Sequence, residues 1–174
     1  QLGFIYYNQI NYIPEGWEFP PEIHGAERST ERFNLPEDYA VVTPYATHAN
    51  RRMTAAAVNE LTSYLKQKNL TPVFLGRTLD ADGDITGASP GIRRDGILDL
   101  SENTDLVEAA VILAHAKVVI GIDNGLLHLA MCSKVPVVFA LTTVRPELRI
   151  PKRQLGAKTV TITPPKELTC RFCT

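Results

Sequence analysis

The residues most able to do chemistry stand together at 121–128, in the stretch GIDNGLLH. An apolar run ends near Ile122, and a helical pattern begins at about Asn124. The first-turn amides of a helix have no partners within the helix, and the helix dipole adds about half a positive charge there, so a phosphate would be favoured. Gly125 would allow a phosphate to approach the backbone closely. His128, one turn later on the same helix face, would add a donor.

A second group able to bind phosphate follows the first predicted strand, in the loop 44–54. Thr47 offers a hydroxyl group. Arg51 or Arg52 offers a planar guanidinium that is always charged and that suits phosphate oxygens. The loop therefore predicts further contacts to an anion.

Both motifs also have an explanation without a ligand. Asp123 or Asn124 could only cap the helix, with His128 packed at an interface. The loop 44–54 could be a solvated loop with two surface arginines, and His48 fits a structural role better than a catalytic one. Two such loops at one edge of a sheet are a stronger indication of a site than either loop alone.

Apolar runs that alternate with helices must position these residues. Strands are predicted at 40–43, 72–76, 97–100, 117–122 and 136–141, with an edge strand at 159–162. Helices are predicted to follow a cap at Thr54, to run from a cap at Asn103 or Thr104 to Ala116, and to span 124–133. Continuous apolar strands are favourable only in a sheet that is covered on both faces. The pattern predicts an α/β fold with a Rossmann-like, doubly wound parallel sheet, whose ligands bind beyond the carboxyl ends of the strands.

The composition indicates one globular domain preceded by a less regular segment. Residues 1–38 mix aromatic residues with prolines and are expected to form an N-terminal arm or linker, and 39–174 to form the domain. A net charge of -1 argues against a protein that wraps nucleic acid. No apolar stretch reaches the roughly 20 residues of a transmembrane segment, and no signal peptide is visible, so a cytoplasmic chain is expected. The first residue, Gln1, and the end just after a cysteine pair suggest a piece of something longer.

Metal and dinucleotide sites are disfavoured. The acidic run 80–84 resembles the start of a calcium loop, but Ile85 and Gly91 stand where such a loop has glycine and glutamate. Cys170 and Cys173 make half of a zinc site, and three cysteines in all do not make a disulfide framework. No G-x-G-x-x-G follows the first strand, which argues against a nicotinamide-dependent dehydrogenase.

The order of the motifs resembles glycosyltransferase family 9, the lipopolysaccharide heptosyltransferase-like enzymes. The resemblance rests on DNGLLHLA at 123–130, VPVVF at 135–139, TTVRP at 142–146, the Thr and Arg loop at 47–52 and the cysteine pair at 170–173. It covers about residues 40 to 173. The resemblance implies that this chain is one half of a glycosyltransferase B fold, the C-terminal half that binds the donor.

The resemblance also implies a site and its partners. The donor would be a nucleotide-diphosphate sugar, the acceptor a glycan or lipid-linked glycan as in lipopolysaccharide biosynthesis, and residues 76–80 would lie near the nucleoside. The implied binding residues are Thr47, Arg51, Arg52, Gly76, Asp123, Asn124, Gly125, Leu126 and His128. The family's general base is a carboxylate of an N-terminal acceptor domain that this chain lacks, so no catalytic residue is assigned. No metal or cofactor is expected, since helix amides and arginines can neutralise a diphosphate.

Two further expectations follow. The transfer would invert the configuration at the sugar, and the enzyme could act peripherally at the inner membrane face. The alternative to an enzyme is a non-catalytic nucleotide or nucleotide-sugar binding module that acts as a sensor or partner subunit.

Overall fold

Six strands and three helices make up the parts of the chain that the structure, a computed structural model, describes: residues 30–78, 91–150, 158–168 and 172. The strands are β1 (Tyr39–Thr43), β2 (Thr71–Phe74), β3 (Leu98–Asp99), β4 (Val118–Ile122), β5 (Val137–Ala140) and β6 (Thr159–Ile162). The helices are α1 (Ala55–Gln67), α2 (Leu106–His115) and α3 (Gly125–Ala130). Short 3-10 turns lie at Glu31–Phe33, Ala49–Arg51 and Pro146–Leu148.

The strands form one parallel sheet in the order β3-β2-β1-β4-β5-β6. Val41 in β1 pairs with Val73 of β2 on one side and with Val119 of β4 on the other. The chain runs outward from β1 through β2 to β3 and then returns to the other side of β1 to begin β4. The strand order therefore reverses between β1 and β4, which is where doubly wound sheets bind ligands.

Helices cover both faces of the sheet, as the apolar strands predict. Val41 belongs to a core with Ile112 of α2 and Leu127 of α3, whereas its neighbour Val42 belongs to a second core with Val58 of α1. Successive residues of β1 enter different cores because side chains of a strand point alternately to opposite faces. The predicted α/β, Rossmann-like fold is confirmed.

The helix caps agree with the sequence at α1 and differ at α2. The Thr54 hydroxyl accepts a hydrogen bond from a first-turn amide of α1 at 3.2 Å, as predicted. The prediction that Asn103 or Thr104 caps α2 is wrong, because the cap is Asp105. The Asp105 carboxylate accepts from the Glu108 amide at 2.8 Å, and the Glu108 carboxylate accepts from the Asp105 amide at 2.9 Å. This reciprocal pair satisfies two donors at once, which a cap one or two residues earlier could not do with Glu108.

The segment after β4 forms a shorter helix than the predicted 124–133, since α3 ends at Ala130. The Ser133 hydroxyl donates to the Ala130 carbonyl at 2.7 Å and accepts from the Val135 amide at 3.2 Å, which turns the chain toward β5. No helix within the described ranges is both long and apolar enough to span a membrane.

Part of the predicted N-terminal arm packs against the domain. Phe33 is buried in the core beside α2 and α3, and Arg32 binds Glu108 through two hydrogen bonds of 3.0 and 2.8 Å. The boundary at residue 38 stays a prediction. Residues 1–29, the acidic run 80–84 and the cysteine pair at 170 and 173 lie outside the described residues.

Candidate functional site

A cleft of about 800 Å³ opens at the carboxyl ends of β1, β2 and β4. This volume lies within the range of about 300–1,000 Å³ that is usual for small-molecule sites. The loop after β1, the loop after β2, the start of α2 and the start of α3 enclose it. Its lining residues are Tyr45, Ala46, Thr47, Arg51, Gly76, Arg77, Glu102, Thr104, Asp105, Leu106, Ala109, Asp123, Asn124, Gly125 and Leu126.

The two predicted phosphate-binding segments meet in this cleft. The Asn124 side-chain amide donates to the carbonyls of Thr43 and Tyr45 at 3.3 and 3.2 Å, and so ties the start of α3 to the end of β1. Arg51 Nη1 lies 3.5 Å from Asp123 Oδ2. Thr47 lines the same cleft and is exposed. The loop after β1 and the start of α3 thus share one end of the sheet.

Asn124 has the capping role that the sequence left open. Its side-chain oxygen accepts a hydrogen bond from the Leu127 amide at 3.0 Å, while its amide nitrogen holds the loop after β1. The side of the backbone at Gly125 is open, since a Cβ added there would have no atom within 4 Å. Gly125 and Leu126 line the cleft. A ligand at the start of α3 would therefore contact the backbone at Gly125, next to the Asn124 side chain that already caps the helix.

The two adjacent arginines of the loop after β1 have different contacts. The Arg52 guanidinium donates to the carbonyls of Ala46 and Thr47, both at 2.8 Å, so it holds the loop in shape. Arg51 ends a short 3-10 turn and lines the cleft. Of the two, Arg51 lines the cleft and Arg52 holds the loop that carries it, while binding of a ligand by either residue stays a prediction.

Asp123 stands at the centre of a charged cluster. Its side chain is only 8% exposed. His128 Nε2 lies 3.3 Å from Oδ1, and Arg51 Nη1 and Arg149 Nε lie 3.5 and 3.2 Å from Oδ2. The hydrogen bond from His128 lowers the pKa of Asp123, burial opposes this, and the charges of Arg149, His128 and Arg51 lower the pKa further. The balance is a lowered pKa, so Asp123 is a carboxylate at neutral pH.

His128 faces Asp123 and the sheet. Its ring meets the ring of Phe139 edge to face, with centroids 5.6 Å apart and planes at 70°. His128 is not among the residues that line the cleft. Its contact to a ligand stays a prediction, whereas the structure shows its contacts with Asp123 and Phe139.

The floor of the cleft requires a glycine at position 76. Gly76 has a φ of +133°, and a Cβ added there would lie 3.1 Å from Cδ2 of the Tyr45 ring. Tyr45 is itself held in place, because Arg94 Nη1 donates to its hydroxyl at 2.9 Å. Gly76, which follows β2, and Tyr45 thus line the cleft side by side.

Sequence reasoning did not single out Glu102 and Arg149, and it included Arg77 only within the segment 76–80 that was expected near the nucleoside. Glu102 and Arg77 line the cleft and pair with each other, with Arg77 Nε 3.4 Å from the Glu102 carboxylate. Arg149, from the loop after β5, contacts Asp123. A signal existed for Glu102, which comes just after β3 at the same edge of the sheet. Arg149 is one of four basic residues in the sequence at 145–153, and their spacing does not indicate which of them reaches Asp123. Among the described residues, no three His, Cys, Asp or Glu side chains are grouped to hold a metal ion.

Three solved structures of glycosyltransferases have a similar fold. The glycosyl transferase family 9 protein from Veillonella parvula aligns with a TM-score of 0.62 at 15% identity, over 79% of this chain and 39% of that chain. ADP-heptose lps heptosyltransferase II of E. coli aligns with a TM-score of 0.62 at 18% identity, over 81% and 43%. Heptosyltransferase WaaC of E. coli, in a structure with ADP, aligns with a TM-score of 0.55 at 20% identity, over 74% and 39%. The chain thus spans about two fifths of the length of these proteins.

The family of this chain is shown by a match of its sequence to a family model. No curated protein matches the sequence. The sequence model of glycosyltransferase family 9 (heptosyltransferase) matches residues 7–162, which is most of the 174-residue chain. The motifs at 47–52, 123–130 and 135–139 that resemble this family all lie within the matched range. The chain therefore belongs to glycosyltransferase family 9, the heptosyltransferase family.

Proposed function

We propose that this chain is the donor-binding domain of a glycosyltransferase and that its cleft holds a nucleotide-diphosphate sugar. The observation that carries the proposal is that two segments with groups suited to phosphate, the loop with Thr47 and Arg51 and the start of α3, line one cleft of about 800 Å³. Structures of the similar protein WaaC support the choice of donor, since WaaC was determined with ADP and with ADP-2-deoxy-2-fluoro heptose.

The diphosphate would lie between Arg51 and the start of α3. A guanidinium can bind two phosphate oxygens at once, the Gly125 and Leu126 amides at the start of α3 would present further donors, and the Thr47 hydroxyl would complete the set. Together they would stabilise the negative charge that develops on the diphosphate as it leaves the sugar. Asp123 and His128 would support this set from behind, with Asn124 and Arg52 fixing the two segments. The nucleoside would lie toward Gly76.

The transfer itself needs a base that we do not assign within this chain. In an inverting transfer, the acceptor hydroxyl attacks the anomeric carbon from the face opposite the diphosphate, and a base removes the hydroxyl proton. We propose that an acceptor domain outside these 174 residues supplies the base and binds a glycan or lipid-linked glycan. The proposed setting is the cytoplasmic side of the inner membrane, where lipopolysaccharide precursors would be extended.

A binding screen tests the proposal. The chain is mixed with nucleoside diphosphates and their sugar conjugates, and the melting temperature is recorded. Binders are expected to raise it, because a ligand that binds only the folded state stabilises that state. The variants Asp123→Ala and His128→Ala are expected to weaken nucleotide binding more than tenfold (about 1.4 kcal/mol) without unfolding the domain. Absence of any thermal shift across the panel would contradict the proposed function, and unchanged affinity in both variants would remove these two residues from the site.

A further inference from the structure

One carboxylate oxygen of Asp123 is shared by two arginines from different loops. Arg149 Nε lies 3.2 Å and Arg51 Nη1 lies 3.5 Å from Asp123 Oδ2. Within the described residues, neither Asp123 Oδ2 nor Arg149 Nε has a hydrogen-bond partner. The two atoms attract each other through their charges, without the geometry of a hydrogen bond. Only Arg51 of the two lines the cleft. Arg149 therefore approaches Asp123 from a direction other than the proposed ligand.

The loop that carries Arg149 also touches the loop that carries Arg51. The Thr142 hydroxyl donates to the Asn50 carbonyl at 3.1 Å, next to Arg51 in the chain. Two contacts, this one and the approach of Arg149 to Asp123, thus join the loop after β5 to the end of the cleft. The position of Arg149 is set by the same segments that would bind a diphosphate.

The shared oxygen matters when Arg51 binds a ligand. An arginine that turns to a phosphate gives up part of its attraction to Asp123, and a carboxylate that is only 8% exposed would be costly to leave uncompensated. Arg149 beside Oδ2 and His128 beside Oδ1 do not line the cleft, so a ligand there would not have to draw either of them away from Asp123. Among the residues that the structure describes, the titratable groups that face Asp123 are Arg149 from the loop after β5, His128 from α3 and Arg51 from the loop after β1.

We propose that Arg149 is a positioning residue of the donor site: it compensates the charge of Asp123, so that Arg51 is free to engage the diphosphate. This inference rests on the proposed function. Arg149 acts through Asp123 and touches no part of the donor. Asp123 holds Arg51 beside the cleft, and Arg149 adds a second positive charge, so that one positive charge of the two arginines remains for the ligand.

A double-mutant cycle on the 174-residue chain tests the proposal, with ADP as the probe in calorimetry at neutral pH. Arg149→Gln is expected to weaken ADP binding about 5-fold, a usual coupling between neighbouring charged residues, because Arg51 must then compensate Asp123. Arg149→Lys is expected to recover most of the affinity. In the Asp123→Asn background, Arg149→Gln is expected to have no effect, since no charge is left to compensate. Arg145→Gln, an exposed arginine of the same loop, is the matched control and is expected to bind ADP as the parent does.

The outcomes separate the possible roles of Arg149. If Arg149→Gln lowers ADP affinity equally in the parent chain and in the Asp123→Asn chain, then Arg149 contacts ADP itself or only shapes the loop. That result would overturn the proposal. An NMR titration of the Asp123 carboxyl in the ligand-free chain gives a second test. Arg149→Gln is expected to raise the Asp123 pKa, and an unchanged pKa would also overturn the proposal. If the parent chain binds no ADP, the proposal that Arg149 leaves Arg51 free for the donor fails together with the proposed donor. The titration still decides whether Arg149 compensates the charge of Asp123.

Discussion

Gly121 is the position where one added methyl group should disturb both the sheet and the site. It pairs with Thr43 across β4 and β1. A Cβ at position 121 would lie 1.9 Å from the Thr43 hydroxyl oxygen, 2.9 Å from the Thr43 carbonyl oxygen and 3.2 Å from Cδ1 of Leu127. One of these atoms is backbone and Thr43 is fully buried, so the clash cannot be relieved by a small side-chain movement. Gly121→Ala must push β1 and β4 apart or displace the end of β1.

The expected cost is that of overpacking a core. Insertions of this kind lower the free energy of unfolding by about 1–3 kcal/mol. For a domain of this size each 1 kcal/mol corresponds to roughly 2–4 °C in melting temperature, so a loss of several degrees is expected. ADP binding should weaken as well, because the Thr43 carbonyl accepts a hydrogen bond from the Asn124 cap at the start of α3.

Gly125→Ala is the matched control for Gly121→Ala. A Cβ at position 125 meets no atom within 4 Å, and alanine favours a helix over glycine by up to about 1 kcal/mol. Its stability should be equal to or above that of the parent chain. Adding Thr43→Ala to Gly121→Ala should restore part of the loss, since it removes the atom at 1.9 Å.

Thermal and urea unfolding followed by circular dichroism measures all these variants. The reasoning would be refuted if Gly121→Ala were as stable as the parent chain, or if Gly125→Ala lost as much stability as Gly121→Ala.

Three further predictions concern residues around the cleft. Asn124→Ala loses a helix cap and the tie to the loop after β1, so the free energy of unfolding should fall by about 1–2 kcal/mol in urea denaturation. Arg52→Gln frees the carbonyls of the loop after β1, so ADP affinity in calorimetry should fall while the melting temperature changes little; unchanged affinity would show that the loop keeps its shape without Arg52. The pKa of Asp123 is lowered in the folded chain, so its charge stabilises the fold at pH values above the unfolded aspartate pKa of about 3.9. That stabilisation is lost as the pH falls through the folded pKa, and Asp123→Asn should therefore show a flatter fall of unfolding free energy in acid than the parent chain. Equal slopes for the two chains would contradict this.

The fold could be predicted because each central strand is a short apolar run between helical patterns. Those runs need a sheet with both faces covered, and the structure places Val41 and Val42 in opposite cores accordingly. Parallel strands share a carboxyl edge, so the meeting of the loop after β1 with the start of α3 also follows from the order of the elements. The edge strand β6 was predicted at its observed bounds, Thr159–Ile162.

What could not be predicted depends on side-chain directions and on contacts between distant loops. Arg51 and Arg52 are adjacent residues of the same type, so the sequence does not indicate which of them lines the cleft. In the structure a 3-10 turn ends at Arg51, which lines the cleft, while Arg52 supports the loop. Arg149 was one of several basic residues whose partner is set by the path of the loop after β5. The cap of α2 at Asp105 could have been predicted, since Glu108 follows three residues later. Asn103 and Thr104, just before it, are also residue types that cap helices.

The most direct test of the central claim is a comparison of ADP, AMP and adenosine in calorimetry with the parent chain, Arg51→Gln and the control Arg93→Gln. Arg93 is exposed and does not line the cleft. If the loop after β1 and the start of α3 hold a diphosphate, ADP should bind at least about tenfold more tightly than AMP. Arg51→Gln should remove most of that preference, and Arg93→Gln should keep it. Equal affinities for ADP and adenosine in the parent chain, or an ADP preference that survives Arg51→Gln, would contradict the account.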